Sequence, residues 1–136
     1  MIKDYTNKDI LDIEILGKKL HNNYKFSLDT FSKCKVLEIN NSIIGFITYS
    51  IIYDRAEIID IIIKEEFRNK GYAKKLIEEV IVELKNNQCK NITLEVNEKN
   101  PAVKFYKKIG FEIVSIRKGY YNGQDGYLME KNLEVK

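Results

Sequence analysis

The sequence predicts an α/β fold in one domain over residues 1–136, with a mixed central sheet of about seven strands flanked by about four helices. Three observations predict it. A chain of 136 residues, 44% hydrophobic and 32% charged, can bury one core of its own and is short for two. β-Branched runs at hairpin spacing fill the first half, which suits antiparallel strands. After Gly71 the apolar period turns helical between two runs that read as strands, the pattern of a βαβ unit.

Ile2 to Tyr5 is a short strand. Thr6-x-x-Asp9 resembles a capping box with Asp in place of the usual Glu or Gln, and Ile10, Ile13, Leu16 and Leu20 recur behind it at helical spacing. His21 to Lys25 breaks that period, and Ser27 opens a second short helix through Phe31. Val36 to Ile39 and Ile43 to Ile52 flank Asn40-Asn41, a hairpin signal. Ala56 to Ile63, nearly all Ile, suits a strand covered on both faces. Ala73, Leu76, Ile77, Val80 and Leu84 then mark one helical face, ended by Asn86-Asn87. Ile92 to Val96 is a strand, Ala102 to Lys108 a short helix, and Phe111 to Ile116 and Tyr127 to Leu133 the last two strands.

Composition narrows the function classes. Lys plus Arg is 23 against 20 for Asp plus Glu, with three arginines and no basic block, so a nucleic-acid partner is not expected. The longest apolar stretches, Ile43 to Ile52 and Ile58 to Ile63, fall short of the roughly 20 residues of a membrane-spanning helix. The opening Met1-Ile2-Lys3-Asp4-Tyr5 lacks a signal peptide's apolar core. Two cysteines, Cys34 and Cys89, and one histidine, His21, make neither a disulfide framework nor an ordinary zinc site. A reducing cytoplasm and chemistry without a metal are the expectations.

The segment with the most chemical content is Arg68-Asn69-Lys70-Gly71-Tyr72-Ala73, between the Ile-rich strand and the long helix. A strand entering a helix through such a turn leaves the first helical N–H groups directed at one point, where an anion can sit. Gly71 permits close approach, Ala73 avoids a clash, and Lys70, Lys74 and Lys75 surround the mouth with positive charge. A pyrophosphate would suit it. The same residues also suit a tight turn with a solvated lysine face. Neither the P-loop pattern nor the dinucleotide fingerprint is present.

Combined with the segments on either side of it, the turn acquires a family likeness. Ile61-Ile62-Ile63, Arg68-x-x-Gly71-x-Ala73, Leu94-Glu95-Val96-Asn97, Asn100-Pro101-Ala102, Phe105-Tyr106 and Gly110-Phe111 resemble, in order and spacing, the GNAT superfamily of acyl-CoA-dependent N-acetyltransferases. The resemblance covers the chain from about Ile43 onward. It implies that acetyl-CoA is the cosubstrate, with its pyrophosphate on the backbone from Arg68 through Asn69, Lys70, Gly71, Tyr72 and Ala73 to Lys74. It further implies that Ile61, Ile62 and Ile63 pair with the pantetheine arm beside a splay in the sheet. Asn100 would open the helix flanking the cofactor, although it stands six residues before Tyr106 where many members have seven.

The tail narrows the likeness. Arg117-x-x-Tyr120-Tyr121 followed by Asp125 and Met129 resembles the RimI-type branch, which acetylates protein N-termini. That branch implies a peptide grip by Tyr120, Tyr121 and the loop through Asp125. Gly126 stands where an Ala usually follows the Asp. Tyrosines in a loop also serve as plain hydrophobic cover.

Acetyl transfer from a thioester to an amine needs a free amine, a stabilised oxyanion and a proton for the departing thiolate. Glu95 matches the branch's proposed base and Tyr106 its acid, and both are the expected catalytic residues. Without the family, Glu95 reads equally as an exposed strand residue and Tyr106 as a buried aromatic. No nucleophilic triad can be assembled, so direct attack in a ternary complex is expected. The acceptor is expected to be a protein N-terminus, such as that of a ribosomal protein. The competing readings are acetylation of a small amine (polyamine, amino acid or aminoglycoside) and an acetyl-CoA-binding module without catalysis, the latter disfavoured by Glu95 and Tyr106. Oligomeric state is not legible.

Overall fold

In the computed structural model, which describes residues 1–134, one seven-stranded sheet runs in the order β1-β2-β3-β4-β5-β7-β6. The strands are β1 Ile2–Asp4, β2 Ser32–Ile39, β3 Ser42–Ile52, β4 Arg55–Ile63, β5 Asn91–Asn97, β6 Glu112–Tyr121 and β7 Gln124–Asn132. Three α-helices, α1 Ile10–Gly17, α2 Tyr72–Asn86 and α3 Ala102–Lys108, lie on its faces. All neighbouring strands are antiparallel except β4 and β5, because α2 carries the chain back across the sheet between them.

The β2–β3 turn forms at Asn40-Asn41, as its composition predicts, with both residues at positive φ (50° and 65°), the conformation of a two-residue hairpin turn. The Thr6–Asp9 box also forms: the Asp9 carboxylate accepts the Thr6 N–H at 2.8 Å and its hydroxyl at 3.1 Å.

Three expectations need correction. The helix from Ser27 to Phe31 is absent, and the segment is irregular. Asp29 Oδ1 takes the Phe31 N–H and the Ser32 hydroxyl, each at 2.9 Å, a local turn that competes with helix, while Phe26 and Leu28 pack on the α1 side of the core. Leu20 is 42% exposed rather than core, since α1 ends at Gly17, against which the Tyr24 ring lies so closely that a Cβ would collide with it. β4 is covered on both faces only towards its end: Arg55 to Ile59 alternate between exposed and buried, and Ile59 is 48% exposed.

The sheet divides the core in two. Leu76, Ile77, Val80 and Leu84 of α2, with Tyr106 of α3, cover one face, and Ile13 and Leu16 of α1 with Tyr24 cover part of the other. Cys34 and Cys89 are free and buried. Among the described residues no helix is long and apolar enough to cross a membrane, and no cluster of three or more His, Cys, Asp or Glu could hold a metal ion.

Candidate active site

The site begins where the sheet opens. β4 and β5 pair only at Arg55–Asn91, Ala56–Ile92 and Glu57–Thr93; beyond Glu57 and Thr93 the two strands part into a fork. Ile61, Ile62 and Ile63 thus lie on the arm of β4 that has no partner on the β5 side, leaving backbone groups there for a ligand.

At the end of that arm the chain makes a short 3-10 turn over Glu65–Phe67 and enters α2. Arg68 Nε donates to the Ile63 carbonyl at 2.8 Å, tying the turn to the strand. Asn69 and Gly71 take positive φ, 62° and 84°, and Gly71 is the residue before the helix. No side chain caps α2 and no acidic residue sits in its first turn; its first backbone bond runs from Lys75 N–H to Gly71 O. The N–H groups of Tyr72, Ala73 and Lys74 therefore open the helix free of an i−4 acceptor. A Cβ placed on Gly71 would meet nothing within 4 Å. The turn is an open, uncapped anion cradle, and its residues fit a pyrophosphate.

Lys70 Nζ lies 5.8 Å from the centre of the Phe67 ring and Lys75 Nζ 5.6 Å from that of Tyr72, so each ammonium rests over an aromatic ring of the turn or of the first helical residue. From Lys74 a groove of about 630 Å³ runs along Ile77 and Ile81 to Lys108 and Gly110. The candidate reacting groups lie outside it.

Glu95 and Tyr106 lie on opposite faces of the sheet. Ile92, Leu94 and Val96 of β5 face α2, so Glu95 between them points to the α1 side. Its carboxylate is 3.2 Å from Arg117 Nη2 of β6 and keeps 23% of its side-chain exposure. Tyr106 is 8% exposed on the α2 face, its ring 5.8 Å from Phe111 and 5.4 Å from Phe105. Burial pushes its phenol up to about 12.

Asn100 is occupied locally: its Oδ1 accepts the Ala102 N–H at 2.9 Å and so caps the start of α3. Tyr120 and Tyr121 do not sit in a loop, as the sequence suggested. They end β6, and the β6–β7 turn is Asn122-Gly123, at φ 49° and 91°. The rings meet edge to face at 4.9 Å, and the Arg117 guanidinium lies 5.0 Å from the Tyr120 ring. Asp125 is on β7, where its carboxylate accepts the Gly119 N–H at 3.0 Å and lies 3.4 Å from Lys118 Nζ. It braces the irregularity of β6 between Arg117 and Tyr121. Gly126 has a reason of its own: a Cβ there would stand 3.1 Å from the Tyr121 ring and 3.2 Å from that of Tyr120, so its bareness lets both rings fold over β7.

Arg117 is the neighbour of Glu95 that sequence reasoning did not place in the site. The Asn122-Gly123 turn pairs Tyr121 with Gln124, and plain alternation from there would put Gly119 opposite Gly126. The irregularity between Arg117 and Tyr121 shifts the register and brings Arg117 there instead, opposite the residue that faces Asn97, and no local sequence signal announces that shift.

A forked mixed sheet with an uncapped cradle beyond the end of its β4 arm defines an acyltransferase-like architecture, and comparison with known proteins agrees. Residues 7–111 match the model of the acetyltransferase (GNAT) family, and the chain belongs to that family. It is 37% identical over 98 residues to a [ribosomal protein bS18]-alanine N-acetyltransferase of Haemophilus influenzae, a match covering 72% of this chain and 66% of that protein. It is 34% identical over 110 residues to an N-alpha-acetyltransferase of Saccharolobus solfataricus, covering 70% and 66%. The chain thus matches just under two thirds of the length of these relatives. In fold it resembles the crystal structure of the ribosomal-protein-S18-alanine N-acetyltransferase from Escherichia coli, with a TM-score of 0.89 at 21% identity over 100% of this chain and 95% of that one.

Proposed function

We propose that residues 1–136 work in the cytoplasm as one acetyltransferase domain, which moves the acetyl group of acetyl-CoA onto the N-terminal α-amine of a protein, such as a ribosomal protein. The observation that carries this reading is the fork itself. β4 leaves β5 after Glu57–Thr93, with the Gly71 cradle beyond the end of its free arm, Glu95 on one face of the sheet and Tyr106 on the other.

In this reading the N–H groups of residues 71–74 hold the pyrophosphate, and Lys70, Lys74 and Lys75 neutralise it. The unpaired edge of β4 at Ile61 to Ile63 meets the pantetheine amides and presents the thioester at the fork. The acceptor nitrogen attacks the thioester carbon, the C–S bond breaks as the oxyanion collapses, and an amide and the CoA thiol are the products. Glu95, directly or through water, takes the proton that the amine must lose. Tyr106, up at about 12, keeps its proton while a thiol's ordinary value is about 8.5. Its phenol therefore donates a hydrogen bond to the leaving sulfur, since full transfer of its proton would run uphill, and the released thiolate takes its proton from solvent to become the thiol.

The α-amine is favoured as acceptor because its pKa, about 8, is roughly two units below that of a lysine. Tyr120 and Tyr121 offer hydroxyls for extended backbone and rings for the first side chain. The names of the Haemophilus and Saccharolobus relatives point the same way.

The test is thiol release from acetyl-CoA against a panel of N-terminal peptides, polyamines and aminoglycosides. Turnover with free-amine peptides is expected. Turnover with polyamines or aminoglycosides alone would select the small-amine reading, and binding of acetyl-CoA without any turnover would select a non-catalytic module.

A further inference from the structure

Asp60 is a half-buried carboxylate without an ionic partner. Others of its kind are matched: Glu83 faces Lys33 and Lys35, Glu95 faces Arg117, and Glu14 accepts the Phe26 N–H. Among the described residues Asp60 enters no such ion pair, and its own backbone N–H donates to Thr48 Oγ1 at 3.1 Å.

A register irregularity aims it. The β3–β4 ladder steps from Tyr49–Ile58 to Thr48–Asp60 and leaves Ile59 unpaired, the two-against-one count of a β-bulge. Before the bulge, Ala56 and Ile58 face the α2 side of the core. Plain alternation would put residue 60 there as well. The bulge instead turns Asp60 and Ile62 to the α1 side, and Ile62 packs in that cluster. This is the face that carries Glu95. Both carboxylates come shortly after the last β4–β5 pair, Glu57–Thr93, one on each arm of the fork.

Its surroundings are Thr48 of β3 and, beyond α1, His21 and Tyr24. Glu14 of α1 and Cys34 of β2 act on the same Tyr24. Burial raises the Asp60 carboxyl above the ordinary range, against the pull of His21 and of the Thr48 hydroxyl. Nothing of fixed positive charge meets it from these elements.

We propose that Asp60 binds the acceptor as an ammonium at the mouth of the fork, on the arm opposite Glu95. The proposal rests on the acetyltransferase reading and adds that the acceptor enters as a cation. Glu95 and Asp60 then divide the acceptor's needs: Asp60 attracts the charged amine, and Glu95 stands by Arg117 to take its proton.

The experiment compares wild type with Asp60→Asn and Asp60→Ser, using one N-terminal peptide as substrate and its N-acetylated form, which lacks the ammonium, as inhibitor. Loss of one charge-assisted contact predicts a rise of about tenfold in peptide KM, a smaller change in kcat, and no change in acetyl-CoA KM or in the inhibition constant of the acetylated peptide. Unchanged peptide KM would overturn the proposal and leave the acetyltransferase reading standing. Equal weakening of both peptides, or failure of both variants to fold, would overturn it by making Asp60 a structural residue. Absence of turnover by the wild type with any amine would remove the reading and the proposal together.

Discussion

The Glu95 carboxylate stands 3.2 Å from Arg117 Nη2 across the intervening strand β7, and the same guanidinium lies 5.0 Å from the Tyr120 ring. One cation thus joins the candidate base to the tyrosine pair. Arg117→Gln removes that link, and we expect kcat to fall about tenfold with a rise in peptide KM. Glu95→Gln should cost more, about a hundredfold. Its loss should deepen at low pH, where free amine is scarce and assistance counts most. Steady-state kinetics of both variants from acid to alkaline pH provides the check.

Tyr106→Phe keeps the buried ring among Phe105 and Phe111 and deletes the hydroxyl alone. We expect kcat to drop at least about tenfold with acetyl-CoA affinity nearly unchanged. Because its phenol lies up at about 12, no loss of wild-type rate from its ionisation should appear below about pH 10. The measurement is kcat with calorimetric binding of acetyl-CoA in parallel.

Gly71→Val places a branched side chain at φ 84° in open space. The backbone strain costs about 1 to 2 kcal/mol, which a helix buried along Leu76, Ile77, Val80 and Leu84 should survive. The anion cradle should not. Acetyl-CoA affinity is expected to fall at least about tenfold in a protein whose circular dichroism is unaltered, and unchanged affinity would displace the pyrophosphate from this turn.

Glu83 predicts an acid limb in stability. Burial works against its charge, yet hydrogen bonds from Lys33, Tyr49 and Lys35 hold it from about 4.5 down to about 2. A carboxyl depressed in the folded state stabilises above its unfolded value, and that contribution fades as pH falls through the folded one. Thermal stability should therefore fall as pH drops from about 4.5 to about 2. Glu83→Gln should flatten this limb and cost about 1 to 2 kcal/mol at neutral pH.

The elements legible in the sequence are those that a local pattern encodes. Asn40-Asn41 announces its hairpin, the spacing from Ala73 to Leu84 announces α2, and Gly71, small where the helix begins, announces the strand-to-helix turn. The expected Ser27 helix fails because a cap residue and a turn residue share one chemistry: Asp29 spends its carboxylate on Phe31 and Ser32. The partnership of Glu95 with Arg117 and the bulge that turns Asp60 depend on register between distant strands, which no local window carries. The strand position of Tyr120 and Tyr121 is different, because the hairpin chemistry of Asn122-Gly123 does encode it locally.

That an α-amine receives the acetyl group can be read out with isotopically labelled acetyl-CoA. A peptide with a free N-terminus and an internal lysine, incubated with the protein and sequenced by mass spectrometry, should carry the label on its first residue. Label on the lysine side chain, or none on a peptide while acetyl-CoA is demonstrably bound, would contradict an α-amine acceptor.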